Sequence, residues 1–210
     1  MKDFATPLVI DVGANVGQSC VEILKRLPHA RIHCIEPDPS TFAKLTENIK
    51  GLEGVTTWQL AMGDAEGVAV LHQNLSPDTN SFLRPSCLVE QEDWRALMQQ
   101  KAEIEVRMTT LSQWAESEKI ERIHLLKTDC QGYDLTVLKG SETLLKSGQV
   151  NLLLCEVLMT PLYDHQAWMA DIVSYTGSLG YRLHGFYDIN YDARGDIAWA
   201  DALFVNRRRG

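Results

Sequence analysis

The sequence predicts an α/β fold built on a mostly parallel sheet, and three stretches carry that expectation. The apolar run Leu8–Val12 leads through Gly13-Ala14-Asn15-Val16-Gly17 into a segment of helical periodicity. Strand, glycine turn and helix in that order place a binding turn at the carboxyl end of a parallel strand. A second apolar run, Arg31–Ile35, is again followed by a helical pattern, and a βαβα start gives parallel strands with right-handed crossovers. Leu152–Cys155 is unbroken and apolar, as in a sheet covered on both faces.

Taken in order, Thr6-Pro7 leads into the strand Leu8–Val12. The first helix is expected over Val16–Leu27, where Val16, Cys20, Ile23, Leu24 and Leu27 share an apolar face and Pro28 ends it. After Arg31–Ile35, Pro37 and Pro39 force an extended turn, and Ser40 or Thr41 opens a helix with Phe42, Leu45 and Ile49 inward. Val55–Leu60 reads as a strand, Ala61-Met62-Gly63-Asp64 as the turn after it, and Val68–His72 as a short antiparallel strand. Leu75–Cys87 is polar and turn-rich, and a long irregular segment in a compact domain is often a binding loop. Helical pattern returns over Leu88–Gln100, with Trp94, Leu97 and Met98 at packing spacing. Ile104–Met108 is a strand, and Thr109-Thr110-Leu111 starts a short helix. The strand His124–Thr128, the helix Leu135–Lys146 and the strand Leu152–Cys155 follow. The helix Trp168–Thr176 and the strands Tyr181–Phe186 and Ala202–Asn206 complete the chain, with Pro161–Gln166 and Tyr187–Asp196 as loops.

The 210 residues suit a single domain, 1–210, with an insertion at 75–103 placed to bind an acceptor. A formal net charge of −8 argues against a sequence-independent nucleic-acid binder, whose affinity depends on cationic contacts. Arg207-Arg208-Arg209 reads as a solvated tail. No run is long and apolar enough to span a bilayer, and the start MKDFATP lacks the apolar stretch of a secretory signal. The expectation is a cytoplasmic protein with no membrane partner; a homo-oligomer stays open. Five cysteines without a C-x-x-C pair read as buried reduced thiols.

The glycine spacing narrows the ligand. A dinucleotide turn needs G-x-G-x-x-G so that its second glycine admits a pyrophosphate, and here that position is Asn15. A nucleoside with a zwitterionic tail suits the turn better: Asp11 can meet an ammonium while backbone N–H groups meet a carboxylate. Glu36 ends the second apolar run, where a carboxylate typically holds ribose hydroxyls.

VIDVGANVGQ followed by CIEPDPSTFAKLTENI, then LLKTDCQGYDLTVLKG, LLLCEV and the terminal WADALFVN, together resemble FkbM-type S-adenosylmethionine-dependent methyltransferases. The resemblance runs in order from Leu8 to Asn206. It implies a class I methyltransferase fold: a three-layer, Rossmann-like sheet whose last strand inserts antiparallel between the two before it. It also implies methyl transfer from S-adenosylmethionine to oxygen. On this basis the cofactor falls to Asp11, Gly13, Ala14, Asn15, Gly17, Gln18, Glu36, Pro37 and Asp129, with Ala61, Met62 and Gly63 over the adenine. Asn80-Ser81 matches the loop that faces the acceptor, a hydroxyl on a sugar, glycan or secondary metabolite. Where many relatives carry Asp-x-Glu-Gly, this chain has Asp129-Cys130-Gln131-Gly132, which removes one carboxylate.

Ligands of open α/β sheets bind beyond the carboxyl ends of the strands, and Asp11, Glu36, Asp129 and Glu156 all end predicted strands. Asp129 and Glu156 fall on neighbouring strands, and such close carboxylates need something positive between them. Two candidates are the cofactor's sulfonium and amino group, or a Mg²⁺ on Asp129 and Glu156 that lowers the pKa of the acceptor hydroxyl. Gln131 or His165 is placed to complete such a metal site. The candidate bases are Asp129, Glu156, His165 and Asp134, and Tyr163, Trp168, Tyr187, Tyr191 and Trp199 offer stacking surface for a sugar ring. The rivals are a nicotinamide-dependent oxidoreductase, disfavoured by the missing second glycine, and a non-catalytic S-adenosylmethionine-binding module.

Overall fold

The computed structural model describes residues 6–207, so the first five residues of MKDFATP, and Arg208 and Arg209 of the basic end, lie outside the described residues. The first half runs β1 (Leu8–Val12), α1 (Gln18–Arg26), β2 (Arg31–Ile35), α2 (Pro39–Asn48), β3 (Val55–Trp58), β4 (Ala61–Gly63) and β5 (Gly67–Asn74). One 3-10 turn, Pro77–Thr79, precedes α3 (Glu92–Leu97), β6 (Gln100–Thr110) and α4 (Leu111–Ser117). Then come β7 (Ile123–Thr128), α5 (Asp134–Gly140), α6 (Glu142–Ser147), β8 (Val150–Leu158), α7 (Met169–Ser178), β9 (Tyr181–Tyr191) and β10 (Ile197–Asn206).

The main sheet has seven strands in the order β3-β2-β1-β7-β8-β10-β9, and β4, β6 and β5 form a separate three-stranded sheet. β1, β2, β3, β7 and β8 pair parallel, while β10 is antiparallel to both its neighbours. This is the expected mostly parallel sheet with the last strand inserted antiparallel. Side chains alternate across each strand. Val9, Ile32 and Cys34 therefore pack on Cys20 of α1 and Leu45 and Ile49 of α2. Ile10, Leu126 and Leu153 face Trp114 of α4, Leu138 of α5 and Ile172 of α7. Asp38 caps α2 by accepting from Ser40 N and Thr41 N, both at 2.8 Å, so Pro39 falls at the first helical position, where its missing N–H costs nothing.

β8 runs on to Leu158, so Glu156 lies inside that strand rather than ending it, and β10 starts at Ile197 rather than Ala202; four further expectations differ more. Leu88–Gln100 is helical only over α3. Upstream of it, Ser86 N donates to Leu162 O at 2.9 Å and Ser86 Oγ accepts from Leu88 N at 3.2 Å, and such side-chain bonds compete with the helix. Ala61-Met62-Gly63 is not a turn but β4, with Ala61 and Met62 buried and the strand paired parallel to β6. The helix expected over Leu135–Lys146 breaks into α5 and α6 at Ser141, whose Oγ donates to Val137 O at 2.7 Å. Gly140 lies so close to β4 that an added Cβ would stand 1.8 Å from Gly63 O, and only glycine allows that approach. β9 runs five residues past Phe186 to Tyr191, so much of the expected loop Tyr187–Asp196 is strand. Among the described residues, no helix is long and apolar enough to cross a membrane.

Candidate functional site

A cavity of about 430 Å³ opens at the carboxyl ends of β1, β2, β7 and β8. The segment after β5 roofs it: Asn15 Nδ2 donates to Asp78 Oδ1 at 2.6 Å, and Ser81 Oγ donates to the carbonyl of Gln131 at 2.8 Å. Asn80, Ser81 and Phe82 line it, as expected for a binding loop.

One end suits a nucleoside. Ile35, Leu60, Met62 and Leu71 make an apolar slot beside Glu36 and Pro37. Glu36 accepts from Asn15 N at 3.0 Å and Asp38 N at 2.9 Å. Burial pushes its carboxyl up to about 7 against the pull of those two bonds. Gly13, Ala14, Asn15 and Gln18 line the turn, but its N–H groups are largely engaged: Gly13 N and Ala14 N both donate to Ile35 O at 3.0 Å. The first turn of α1, from Gln18, is left to receive an anion. Gly13 has φ +79° and an added Cβ there would lie 2.0 Å from Asp129 O, so this glycine is demanded by the adjoining strand end. Gly17 lies outside the cavity lining, and its missing side chain admits Leu45 and Ile49 of α2. Of the three residues expected over the adenine, Met62 lines the cavity while Ala61 and Gly63 are buried in β4 behind it.

At the other end Asp11 of β1 and Asp129, just after β7, meet around Lys127, which the sequence reading missed. Asp11, fully buried, does not line the cavity; it accepts from Ser19 Oγ and lies 3.8 Å from Lys127 Nζ. Burial raises its pKa, with Lys127 and Ser19 opposing. Lys127 also donates to Asp129 Oδ2 at 3.1 Å, and these carboxylates hold its own pKa up against burial. Lys127 in LLKTD was the available signal: a lysine inside an apolar strand is stable only when paired.

Gln131, in the left-handed region at φ +51°, donates through Nε2 to Asp129 Oδ1 at 3.0 Å and to Glu156 Oε2 at 3.1 Å. Its Oε1 lies 3.0 Å from the hydroxyl of buried Tyr163. A carboxylate at position 131 would add a third negative group here; the amide bridges the two acids instead. Glu156 is driven well above the usual carboxylate range, first by burial and then by Asp129 and Asp134. That donor set does not fit Mg²⁺. The Gln131 amide N–H stands between Asp129 and Glu156, and the Lys127 ammonium between Asp129 and Asp11, so donors take the places where a cation's oxygen ligands would converge. Among the described residues, no three His, Cys, Asp or Glu side chains are grouped to hold a metal.

His165 is exposed, at φ +61°, outside the cavity lining; its neighbour Gln166 is the inward residue, its Oε1 accepting from Leu162 N and Tyr163 N. Asp134 is buried and turned to Cys130 N at 3.2 Å, with burial lifting it to about 7. Of the aromatic candidates only Trp199 lines the cavity; Tyr163 is buried behind Gln131, and Trp168, Tyr187 and Tyr191 are exposed elsewhere.

A carboxyl whose folded pKa is raised keeps its proton where the unfolded chain has lost it, so its ionisation destabilises the fold as pH rises from its unfolded to its folded pKa. For Glu36 that window runs from 4.5 to about 7. Glu36→Gln is therefore expected to gain stability relative to the parent between about pH 5 and 7.5, by roughly 2–3 kcal/mol. Urea unfolding at both pH values checks this; an equal difference at the two excludes it.

A model described as the methyltransferase FkbM domain matches residues 11–183. Among curated proteins, the 2-O-methyltransferase NoeI of Sinorhizobium fredii is 28% identical over 149 residues, covering 67% of this chain and 60% of NoeI. The hexuronic acid methyltransferase AglP of Haloferax volcanii is 26% identical over 149 residues, covering 70% of this chain and 54% of AglP. The chain thus spans between half and two thirds of these relatives' length. Among solved structures, M. capricolum TrmK with S-adenosyl-homocysteine has a TM-score of 0.53 at 9% identity, covering 97% of this chain and 63% of TrmK. The methyltransferase domain of bacterial-CtHen1-C gives 0.51 at 10% identity, over 94% of this chain and 88% of that one. At those identities the likeness concerns the fold alone, a Rossmann-like sheet shared with methyltransferases. The family match takes in both the glycine turn and the Asp129–Glu156 pair, and the chain belongs to the FkbM methyltransferase family.

Proposed function

We propose that the protein is an S-adenosylmethionine-dependent O-methyltransferase acting on a hydroxyl of a sugar, glycan or other small metabolite. The observation that carries this is the pair Asp129 and Glu156, bridged by Gln131 on the floor of the cavity that also holds the nucleoside slot. When bound, the cofactor supplies a methyl group already activated on its sulfonium. The protein's part is then alignment and removal of the hydroxyl proton. Glu36 accepts from the ribose hydroxyls, the apolar slot takes the adenine, and Asp129 faces the ammonium of the methionine part. Glu156 Oε2 is engaged by Gln131, and no described group donates to Oε1, which is left to accept the acceptor's proton. Its raised pKa makes it a stronger base than an ordinary carboxylate. The segment 75–103 supplies the roof on the acceptor side.

The test is a calorimetric titration with S-adenosylhomocysteine, with NAD as control. About micromolar binding of the first and none of NAD is expected, weakened at least tenfold in Glu36→Gln. NAD binding, or no binding of S-adenosylhomocysteine, would overturn the proposal. The net charge of −8 supports a small-molecule or glycan acceptor over a nucleic acid.

A further inference from the structure

We infer that the acceptor end of the cavity selects a hydroxylated amine, such as an amino sugar, and that Asp188 and Asp201 are its specificity residues. This rests on the methyltransferase function proposed above and goes on to the charge of the acceptor.

β10 brings Asp201 directly opposite Glu156 of β8, and both line the cavity. On the outer side of β10 the ladder to β9 is irregular: Trp199 pairs with Asn190, but Asp201 pairs with Tyr187. The extra residue of β9 falls at Asp188, which has φ +45° and also lines the cavity. Such bulges redirect a side chain beside a site, and a left-handed non-glycine residue is a strained choice for a strand.

Neither the Asp188 nor the Asp201 side chain forms a hydrogen bond or an ion pair within 4 Å among the described residues; Asp201 feels Lys127 only at longer range, as a pull that opposes the rise burial gives its carboxyl. Asp78 and Asp129 add to this negative lining, while burial favours the protonated, neutral forms of Glu36 and Glu156; the one lining cation, Lys127, is already held by Asp129 and Asp11. The cofactor's net single positive charge does not cancel this surplus. Trp199 adds an independent feature: its indole lines the same end, supported by Trp94 at 4.9 Å between ring centroids. An aromatic face beside unpaired carboxylates favours an ammonium-bearing ring through both charge and cation–π attraction. A uronate or phosphate would bury its charge against carboxylates, with no cation left to meet it.

The experiment saturates the protein with S-adenosylhomocysteine at low salt. It then titrates three matched methyl glycosides, a 2-amino-2-deoxyhexose, the hexose and the hexuronate, following tryptophan fluorescence. The amino sugar is expected to bind at least tenfold more tightly than the hexose, with the hexuronate undetectable. In Asp188→Asn/Asp201→Asn that advantage disappears while S-adenosylhomocysteine still binds, which also shows that the variant is folded. Equal or tighter binding of the hexuronate, survival of the amine's advantage in the double variant, or binding of none of the three overturns the inference. Failure of the parent to bind S-adenosylhomocysteine would instead overturn the function on which it rests.

Discussion

Lys127→Met is expected to destabilise the protein by about 3–5 kcal/mol, because it leaves a buried charge without its partner. Asp11 is fully buried, Ser19 is its only hydrogen-bond donor among the described residues, and the ammonium 3.8 Å away is the cation that compensates it. For a chain of this size the loss corresponds to a fall in Tm of roughly 6–20 °C. The deficit should shrink at low pH, where Asp11 takes a proton, since burial already biases it that way. Asp11→Asn added to Lys127→Met removes the stranded charge and should restore at least half of the lost stability. Thermal unfolding of the three variants decides it; a Lys127→Met protein as stable as the parent would show that the ammonium is not what holds Asp11 in place.

Asp129→Ala and Glu156→Gln are each expected to lower kcat/KM by about 10²–10⁴-fold. Asp129 is partly exposed, at 34%, and its loss still leaves Lys127 paired with Asp11. Its effect on stability should therefore stay within about 1–2 kcal/mol. Glu156→Gln keeps the size and the bridge to Gln131 but cannot take a proton. It should also abolish the rise of kcat/KM with pH that a base of elevated pKa produces in the parent. Methyl transfer to a glycoside that the parent methylates is the readout. Full activity in Glu156→Gln removes Glu156 from the reaction, and full activity in Asp129→Ala removes Asp129.

These groups differ in how far they could be seen from the chain. Asp11, Glu36, Asp129 and Glu156 were legible because each ends an apolar run, and an α/β sheet gathers such ends on one edge. Lys127 was visible as a cation in an apolar strand, but its partners are separated from it by parallel pairing to β1, which no local pattern states. Gln131 looked like the loss of an acid; in three dimensions it is a donor shared by two acids. His165 looked plausible because histidine suits proton transfer, yet the turn that buries Gln166 leaves it in solvent.

The sequence by itself determined the α/β class, the parallel βαβ start, the inserted antiparallel strand and the glycine turn after β1. Those features follow from apolar periodicity, from glycine at turns that other residues cannot make, and from motifs resembling the family. Only the tertiary structure decided that Ala61–Gly63 belongs to a second sheet, that Gly63 and Gly140 face each other, and that Asp188 and Asp201 reach the cavity. Each of these depends on strand register and backbone approach between segments far apart in the chain. A register shift of one residue turns a side chain to the opposite face, so local pattern cannot set it.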